Sequence, residues 1–266
     1  MTVVVADLDI AIELYHHGIG LQPLTFGTIS RVAAAGWNRP SLRGCRWTSL
    51  AASCVDRPGV IRVIEVPGVI APRPLTTAGW AAAEVIVADA DAAMVRAQAA
   101  GLEVLAEPAA VGSAGGLRAV QVAGPAGEGL YLTQVTRPPP GFELPMSAES
   151  VGRVFIAVLA SRDLEVSRDL LEGVLGARRI TDHLLPVRAL NVAWGLPPGE
   201  QHRISTVQLA TTSAIEVDQY PAPTGTRLQN IDGISGGILS VAVKTGVAPR
   251  ILIVPAADGA LLELIP

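Results

Sequence analysis

The chain ends in Ile251-Leu-Ile-Val-Pro-Ala-Ala-Asp258-Gly259-Ala-Leu-Leu-Glu263-Leu-Ile-Pro266, in which a β-branched run is followed by a turn and a second apolar run. Asp-Gly between two hydrophobic runs is the strongest short signal for a β-hairpin. Glu263 interrupts the second run, and a carboxylate inside a buried strand is costly unless it has a partner, a metal or a chemical role. This stretch therefore predicts a hairpin that carries one candidate functional acid.

The beginning of the chain shows what precedes such a hairpin in a complete unit. A short β-branched strand ends where Asp7 or Asp9 can cap a helix. Leu8, Ile12 and Tyr15 follow at positions i, i+4 and i+7, which is the spacing of a buried helix face. The first unit therefore starts as a strand and a helix, before its remaining strands.

Three further copies of the unit follow. In the second, Asp89 is placed to cap the helix. In the third, the first strand begins at Val154 and either Ser161 or Asp163 caps the helix. A fourth, abbreviated copy starts near Gly236, has its helix shortened to Lys244–Pro249 and closes with the terminal hairpin. The chain thus contains a β-α-β-β-β module four times, which predicts an α+β fold.

The modules are predicted to form two domains. Three consecutive prolines in Arg137-Pro-Pro-Pro140-Gly141 make the best linker in the chain. We therefore expect a first domain of two modules over 1–136, a linker over 137–150 and a second domain of two modules over 151–266. Besides the first strands, the strands predicted inside the modules include Gln22–Ala34, Cys45–Val55, Val60–Val66 and Ala189–Gly195.

Composition limits the class of protein. Half of the 266 residues are hydrophobic, 17% are charged and the net charge is −4, with no basic stripe for nucleic acid. No apolar run reaches the roughly 18–20 residues of a membrane span, and the N-terminus lacks a signal peptide. Cys45 and Cys54 are expected to be free thiols in a reducing cytoplasm. The abundance of Ala, Val, Leu and Gly suggests a GC-rich bacterial genome.

The modules resemble the vicinal-oxygen-chelate superfamily, which includes glyoxalase I, bleomycin-resistance proteins and extradiol ring-cleavage dioxygenases. The matching stretches are Asp7-Leu-Asp…Tyr15…Gly18-Ile-Gly20-Leu21, Val87-Ala-Asp89-Ala-Asp91…Ala100-Gly101, Ala160-Ser-Arg-Asp163…Gly176 and Ala257-Asp258-Gly-Ala-Leu-Leu-Glu263. The resemblance covers nearly the whole chain. It implies two glyoxalase-like half-barrel domains, each of which curves around a cleft.

In that superfamily a divalent metal is held by a His or Gln on the first strand of a module and a Glu on the last. Carried over to this sequence, the Glu places fall on Glu65, Tyr131, Glu216 and Glu263. The other places precede Met1 or fall on Ala82, near Val154 or Phe155, and on or next to Gly237, so none is His. The resemblance therefore implies a degenerate metal site without a cofactor, although carboxylates could hold Mg²⁺ or Ca²⁺ weakly.

Several residues are candidates for the site. The resemblance places Glu216 and Glu263 in one cleft of the second domain, as acid-base groups. Tyr131, Phe155, Trp194 and His183 are candidate ligand contacts, with His183 able to partner either acid.

Trp47 and Trp80 could line a cleft, although core packing is the simpler expectation. His202 lies in a Pro-Gly turn, which favours a surface position. Gly233-Ile-Ser235-Gly-Gly237 matches the nucleophile-elbow pattern, but a strand follows it where a helix is required.

Three functions follow from these residues. The first is binding of a small, largely apolar organic molecule, with acid-base chemistry of the lyase or isomerase type. The second is sequestration of such a molecule without catalysis. The third is a divergent metal-dependent dioxygenase that recruits His183 or His202. The expected partner is a small molecule, and neither nucleic acid nor a membrane is expected. A homodimer that exchanges modules is left open.

Overall fold

The computed structural model describes residues 1–52, 59–112, 115–176, 179–209, 211–222, 224–230, 232–245, 252–255 and 259–265. Cys54, Asp258 and most of the short helix expected over 244–249 lie outside this range. The strands are β1 (Thr2–Val5), β2 (Gln22–Thr28), β3 (Arg46–Ala51), β4 (Ile61–Glu65), β5 (Gly79–Val87), β6 (Val104–Ala110), β7 (Leu117–Ala123), β8 (Gly129–Val135), β9 (Val151–Ser161), β10 (Arg179–Leu185), β11 (His202–Gln208), β12 (Ala214–Gln219), β13 (Gly237–Lys244), β14 (Leu252–Pro255) and β15 (Leu261–Ile265).

Within the described residues, five α-helices connect these strands. They are α1 (Leu8–Glu13), α2 (Arg31–Gly36), α3 (Ala90–Ala99), α4 (Leu164–Leu175) and α5 (Arg188–Trp194). A π-helical turn, Leu14–Ile19, extends α1, and a 3-10 turn, Pro40–Leu42, follows α2. No helix in the described part of the chain is both long and apolar enough to cross a membrane.

The three long modules begin as the sequence predicts. Asp7, Asp89 and Asp163 each cap a helix through a side-chain oxygen that accepts a backbone N–H of the first turn. The terminal hairpin is also present, since β14 and β15 pair antiparallel with Ile253 opposite Glu263. Local sequence signals therefore place the strand and helix starts correctly.

The strands form two sheets that combine the modules differently from the prediction. Module one (β1–β4) joins module four (β13–β15) in a seven-stranded sheet, in the order β14-β15-β13-β1-β4-β3-β2. Module two (β5–β8) joins module three (β9–β12) in an eight-stranded sheet, in the order β10-β11-β12-β9-β5-β8-β7-β6. The expected pairing of modules within 1–136 and within 151–266 is therefore wrong.

The cause lies in the open edge of each module. Within a module the first strand pairs parallel with the last, as β5 does with β8. The other edge of that first strand stays available, and two modules join antiparallel through it, as β1 does with β13 and β5 with β9. All four first strands are rich in apolar β-branched and small residues, so their sequences do not specify which two will pair.

One predicted strand is helical, and another gives way to a helix in its second half. The predicted strand Gln22–Ala34 stops at Thr28, and α2 begins after Ser30, whose side chain accepts the N–H of Ala33. The predicted strand Ala189–Gly195 is α5, which buries Ala189 and Leu190 and ends at Gly195 with φ 63°. A short apolar run does not distinguish a buried strand from a buried helix, so these caps were the missed signals.

Most of the core lies on one face of each sheet. Alternate residues of β1, Val3 and Val5, join a large cluster with α1, α3 and α4. The residue between them, Val4, faces the other way and packs against Ala34 and Trp37. Both belong to residues 31–43, which run from α2 through the 3-10 turn and which we call the α2 segment. On each sheet we call the face opposite the large helix-packed cluster the inner face. The inner face of the eight-stranded sheet carries a cavity.

Candidate ligand-binding cleft

A cavity of about 290 Å³ lies on the inner face of the eight-stranded sheet. Modules two and three both contribute strands to it, and the turn before α5 closes one side. Much of its wall is apolar, and six of the apolar lining residues are Ala109, Leu117, Ala119, Ile156, Leu185 and Ile204. A cavity of this size and character suits a small organic molecule.

The segment between modules two and three covers this cavity. Pro139, Phe142 and Leu144 line it, and the ring of Phe142 lies 5.6 Å from that of His183. The side chain of Gln208 fixes the segment, because its Oε1 accepts the N–H of Glu143 at 3.4 Å and its Nε2 donates to the carbonyl of Glu143 at 3.3 Å. The proline-rich linker is therefore a wall of the cleft.

Glu84, on β5, is a buried acid in the cavity. Its Oε2 accepts a hydrogen bond from the hydroxyl of Thr133 at 2.7 Å. Burial raises the pKa of Glu84 to about 8, and the charge of Glu216 raises it further while the Thr133 bond opposes the shift. Sequence reasoning missed Glu84, although it interrupts an apolar run from Trp80 just as Glu263 interrupts the last strand.

Glu216 and Asp218 form a second acidic element. They are alternate residues of β12, so both side chains lie on one face of the sheet, and Glu216 lines the cavity. Burial raises the pKa of Glu216 well above its ordinary value, and repulsion from Asp218 adds to the shift. Burial also raises the pKa of Asp218 to about 7, and the proximity of the Glu216 carboxyl opposes this shift.

The contacts of Asp218 explain why its charged form is disfavoured. Among the described residues, neither of its carboxyl oxygens has a hydrogen-bond partner, although both are buried. A buried carboxylate without donors is costly, and the neighbouring acid Glu216 adds repulsion when both are charged. Burial and proximity therefore both favour protonation within this pair.

Four sequence-predicted residues meet at this cavity. Tyr131, Phe155, His183 and Glu216 all line it. The hydroxyl of Tyr131 is buried without a described partner, and burial lowers the pKa of His183. Trp194 lies in α5 beside the same apolar cluster, but its indole N–H donates to the carbonyl of Leu75 at 2.9 Å.

Glu263 and Glu65 lie elsewhere, so the expected convergence of Glu216 with Glu263 does not occur. Glu263 is on β15 of the seven-stranded sheet, buried, and accepts a hydrogen bond from the hydroxyl of Ser240. Glu65 accepts the N–H of Leu8 at 3.2 Å and pairs with Arg46 at 3.4 Å. The reason is the pairing of module four with module one.

The inner face of the seven-stranded sheet is packed with protein. Ala34, Trp37 and Leu42 of the α2 segment lie against Val4 and Ile64 in one buried cluster. This segment occupies the face where the resemblance implied a second cleft. Glu263 is therefore on the face that α2 covers, and Glu216 is on the face that carries the cavity.

The remaining aromatic and histidine candidates have structural contacts. His202 is buried on β11, with Nε2 2.6 Å from Oδ1 of Asn191, so its predicted surface position is wrong. Trp80 is buried and donates its indole N–H to the carbonyl of Leu261 at 2.8 Å. Trp47 lies 5.9 Å from the guanidinium of Arg62. These contacts agree with core packing for both tryptophans.

The described residues of the cavity do not supply the ligand set that the resemblance implied. Among them, no group of three or more His, Cys, Asp or Glu side chains is arranged to hold a metal ion. Burial raises the pKa of both Glu84 and Glu216, which favours their protonated forms, and a protonated carboxyl is a poor metal ligand. No imidazole accompanies them on β5 or β12.

Comparison with solved structures identifies the fold. Glyoxalase I from Zea mays superposes with a TM-score of 0.64 at 16% identity, over 99% of this chain and 90% of that chain. A "putative dioxygenase" from Bacillus subtilis subsp. subtilis str. 168 superposes with a TM-score of 0.61 at 13% identity, over 99% and 83%. No family model and no curated protein matches the sequence. At these identities the likeness is one of fold.

Proposed function

We propose that this chain, which has the vicinal-oxygen-chelate fold of glyoxalase I, binds a small uncharged organic molecule in the cavity of modules two and three and acts on it by acid-base chemistry. The observation that carries the proposal is the presence of two buried carboxyls, Glu84 and Glu216, in an otherwise largely apolar cavity. Perturbed acids in a pocket are a mark of functional sites.

The two acidic elements suit different parts of a proton transfer. Near pH 7 Glu84 carries its proton and can donate it to a carbonyl or hydroxyl oxygen of the ligand. In its singly ionised form the Glu216–Asp218 pair can accept a proton from the neighbouring carbon. These two transfers give an enol, and their reversal at another atom completes an isomerisation. General acid-base catalysis of this kind supplies about 10²–10⁴-fold.

Sequestration is the second candidate function. The observation that favours it is the wall formed by Phe142 and Leu144, with Phe142 against His183, which gives the cavity an apolar cover. Apolar walls alone are sufficient to retain an apolar ligand. In this case the carboxyls would orient the ligand and no product would form.

The test is a screen of small carbonyl compounds by ligand-observed NMR, followed by variants. Glu84→Gln and Glu216→Gln should keep binding within a few-fold and lower turnover by about 10²-fold or more. Glu107→Gln, an exposed acid at the cavity rim, is the control and should leave turnover unchanged. Binding without turnover in the unmodified protein would instead support sequestration.

Metal analysis of the purified protein separates the dioxygenase alternative from acid-base catalysis and from sequestration. We expect no stoichiometric transition metal, and its presence, with loss on Glu216→Gln, would contradict a metal-free site. Cytoplasmic location and a homodimer stay predictions. Cell fractionation can check the location, and size-exclusion measurements can check the homodimer.

A further inference from the structure

A separate cavity of about 190 Å³ lies where the two sheets meet. Its wall includes Trp80 of β5 from the eight-stranded sheet and Ile238 and Leu261 of the seven-stranded sheet. The polar side chains around it are those of Arg39, Thr226, Arg227, Gln229 and Ser235. Ser235 belongs to the Gly233–Gly237 motif, for which the proposed function has no role.

The charges at this cavity are of one sign. Its lining includes two arginines, and none of the described lining residues is acidic. Arg39 donates one hydrogen bond, to the carbonyl of Asn38 at 3.1 Å, and neither arginine forms an ion pair with a carboxylate in the described part of the chain. Among the described residues that line it, the cavity therefore presents positive charge without a matching anion.

The donors at the cavity also exceed their acceptors. Nη1 of Arg227 donates to the carbonyl of Ile238 at 2.6 Å and Nη2 donates to the carbonyl of Trp80, but its Nε–H is buried without a partner. Within the described residues, no hydrogen bond involves the side chains of Thr226, Gln229 or Ser235. Buried donors without acceptors are uncommon and often mark a missing ligand or water.

The environment of Arg227 points to the same deficit. Burial lowers its pKa to about 10, and the more distant Tyr220 and Glu128 only partly oppose this. Glu128 already accepts hydrogen bonds from the hydroxyl of Tyr15 and from the N–H of Ala126. A buried guanidinium is costly unless an anion lies close to it. Its bonds to two carbonyls tie β5 to β13 but leave its charge uncompensated.

We propose that this cavity binds a small oxyanion, a phosphate or sulfate group, held by Arg39, Arg227 and the hydroxyl of Ser235. Guanidinium groups and hydroxyls are the side chains that recognise such groups, because their donors match several oxygens at once. A bound oxyanion would lie against the guanidinium of Arg227, compensate its charge and, through Arg39, connect the α2 segment to the junction of the sheets. The inference does not depend on the function proposed for the larger cavity.

The test is titration of the full-length protein with inorganic phosphate by calorimetry and by thermal unfolding, against sodium chloride at equal ionic strength. Phosphate should bind stoichiometrically and raise Tm beyond the effect of chloride. Arg39→Gln and Ser235→Ala should each weaken binding, the former by about tenfold or more, as expected for one lost charge-assisted hydrogen bond. Arg227→Lys should weaken it as well.

Arg43→Gln is the matched control. Arg43 is exposed in the same segment as Arg39 but does not line the cavity, so its loss should leave phosphate affinity unchanged. If Arg227→Lys fails to fold, the Arg39 and Ser235 variants still decide the question. A phosphate effect no larger than that of chloride, or equal weakening by Arg39→Gln and Arg43→Gln, overturns the site. Tighter binding of glycerol phosphate than of inorganic phosphate would support it and assign the group to a larger molecule.

Discussion

Glu84 makes stability depend on pH in a direction opposite to that of most carboxylates. Its folded-state pKa of about 8 exceeds the ordinary value of 4.5, so the native state binds the proton more tightly than the unfolded chain does. Its contribution to stability is therefore complete below about pH 4.5, falls as pH rises and is lost above about pH 8. The contribution is at most about 5 kcal/mol.

Replacing Glu84 should make the free energy of unfolding depend less steeply on pH. We expect Glu84→Gln to raise the free energy of unfolding at about pH 9 relative to the unmodified protein, because no buried charge then has to form. Urea denaturation at several pH values is the measurement. Glu107→Gln, which removes an exposed acid, should leave the profile as it is. An unchanged slope between about pH 5 and pH 8 in Glu84→Gln would contradict the assignment.

The Glu216–Asp218 pair can be tested one carboxyl at a time. Asp218→Asn removes a neighbouring negative charge, so the pKa of Glu216 should fall yet stay above its ordinary value, because burial persists. The carboxyl ¹³C chemical shift of Glu216, followed through a pH titration, reports this. Asp169→Asn, on the exposed side of α4, is the control. A midpoint that does not move shows that the two carboxyls do not interact.

At the scale of elements, α2 determines which inner face is filled. Its cap at Ser30 and the ring of Trp37 hold it against Val4 and Ile64. Trp37→Ala should therefore lower the free energy of unfolding by about 3–5 kcal/mol, the usual cost of deleting a buried aromatic ring.

Chemical denaturation of this variant can be compared with Val32→Ala on the same helix. Val32 is 78% exposed, so its truncation should cost well under 1 kcal/mol. If Trp37→Ala were as mild as Val32→Ala, the α2 segment would not be a fixed part of the core. Helix α5 acts differently, since it packs beside the cavity of the eight-stranded sheet without filling it.

At the scale of the whole molecule, the sheets do not follow the two halves of the chain. A fragment over 75–222 contains all of the eight-stranded sheet, whereas 1–136 and 151–266 each contain two modules that belong to different sheets. We expect the central fragment to unfold cooperatively in urea. Each half should lack a cooperative transition, because an open first-strand edge and an uncovered sheet face remain. Cooperative monomeric unfolding of either half would support pairing within halves.

Sequence by itself determined what depends on a few neighbouring residues. The caps at Asp7, Asp89 and Asp163, the alternation of the strands and the terminal hairpin are local effects of hydrogen bonding and side-chain period, so the β-α-β-β-β module and the α+β fold could be predicted. The resemblance, rather than any local pattern, put Tyr131 and Glu216 on the last strands of their modules; they lie on β8 and β12 and line the cavity, and their roles stay predictions.

Tertiary structure alone decided which modules share a sheet, because four similar first-strand edges compete and the result depends on packing over the whole chain. That choice separates Glu263 from Glu216 and brings Glu84, from a different module, to the cavity that Glu216 lines. It also decides that α2 fills one inner face while a proline-rich segment covers the other. The acids were readable in the sequence, but their partners were set by contacts between residues far apart along it.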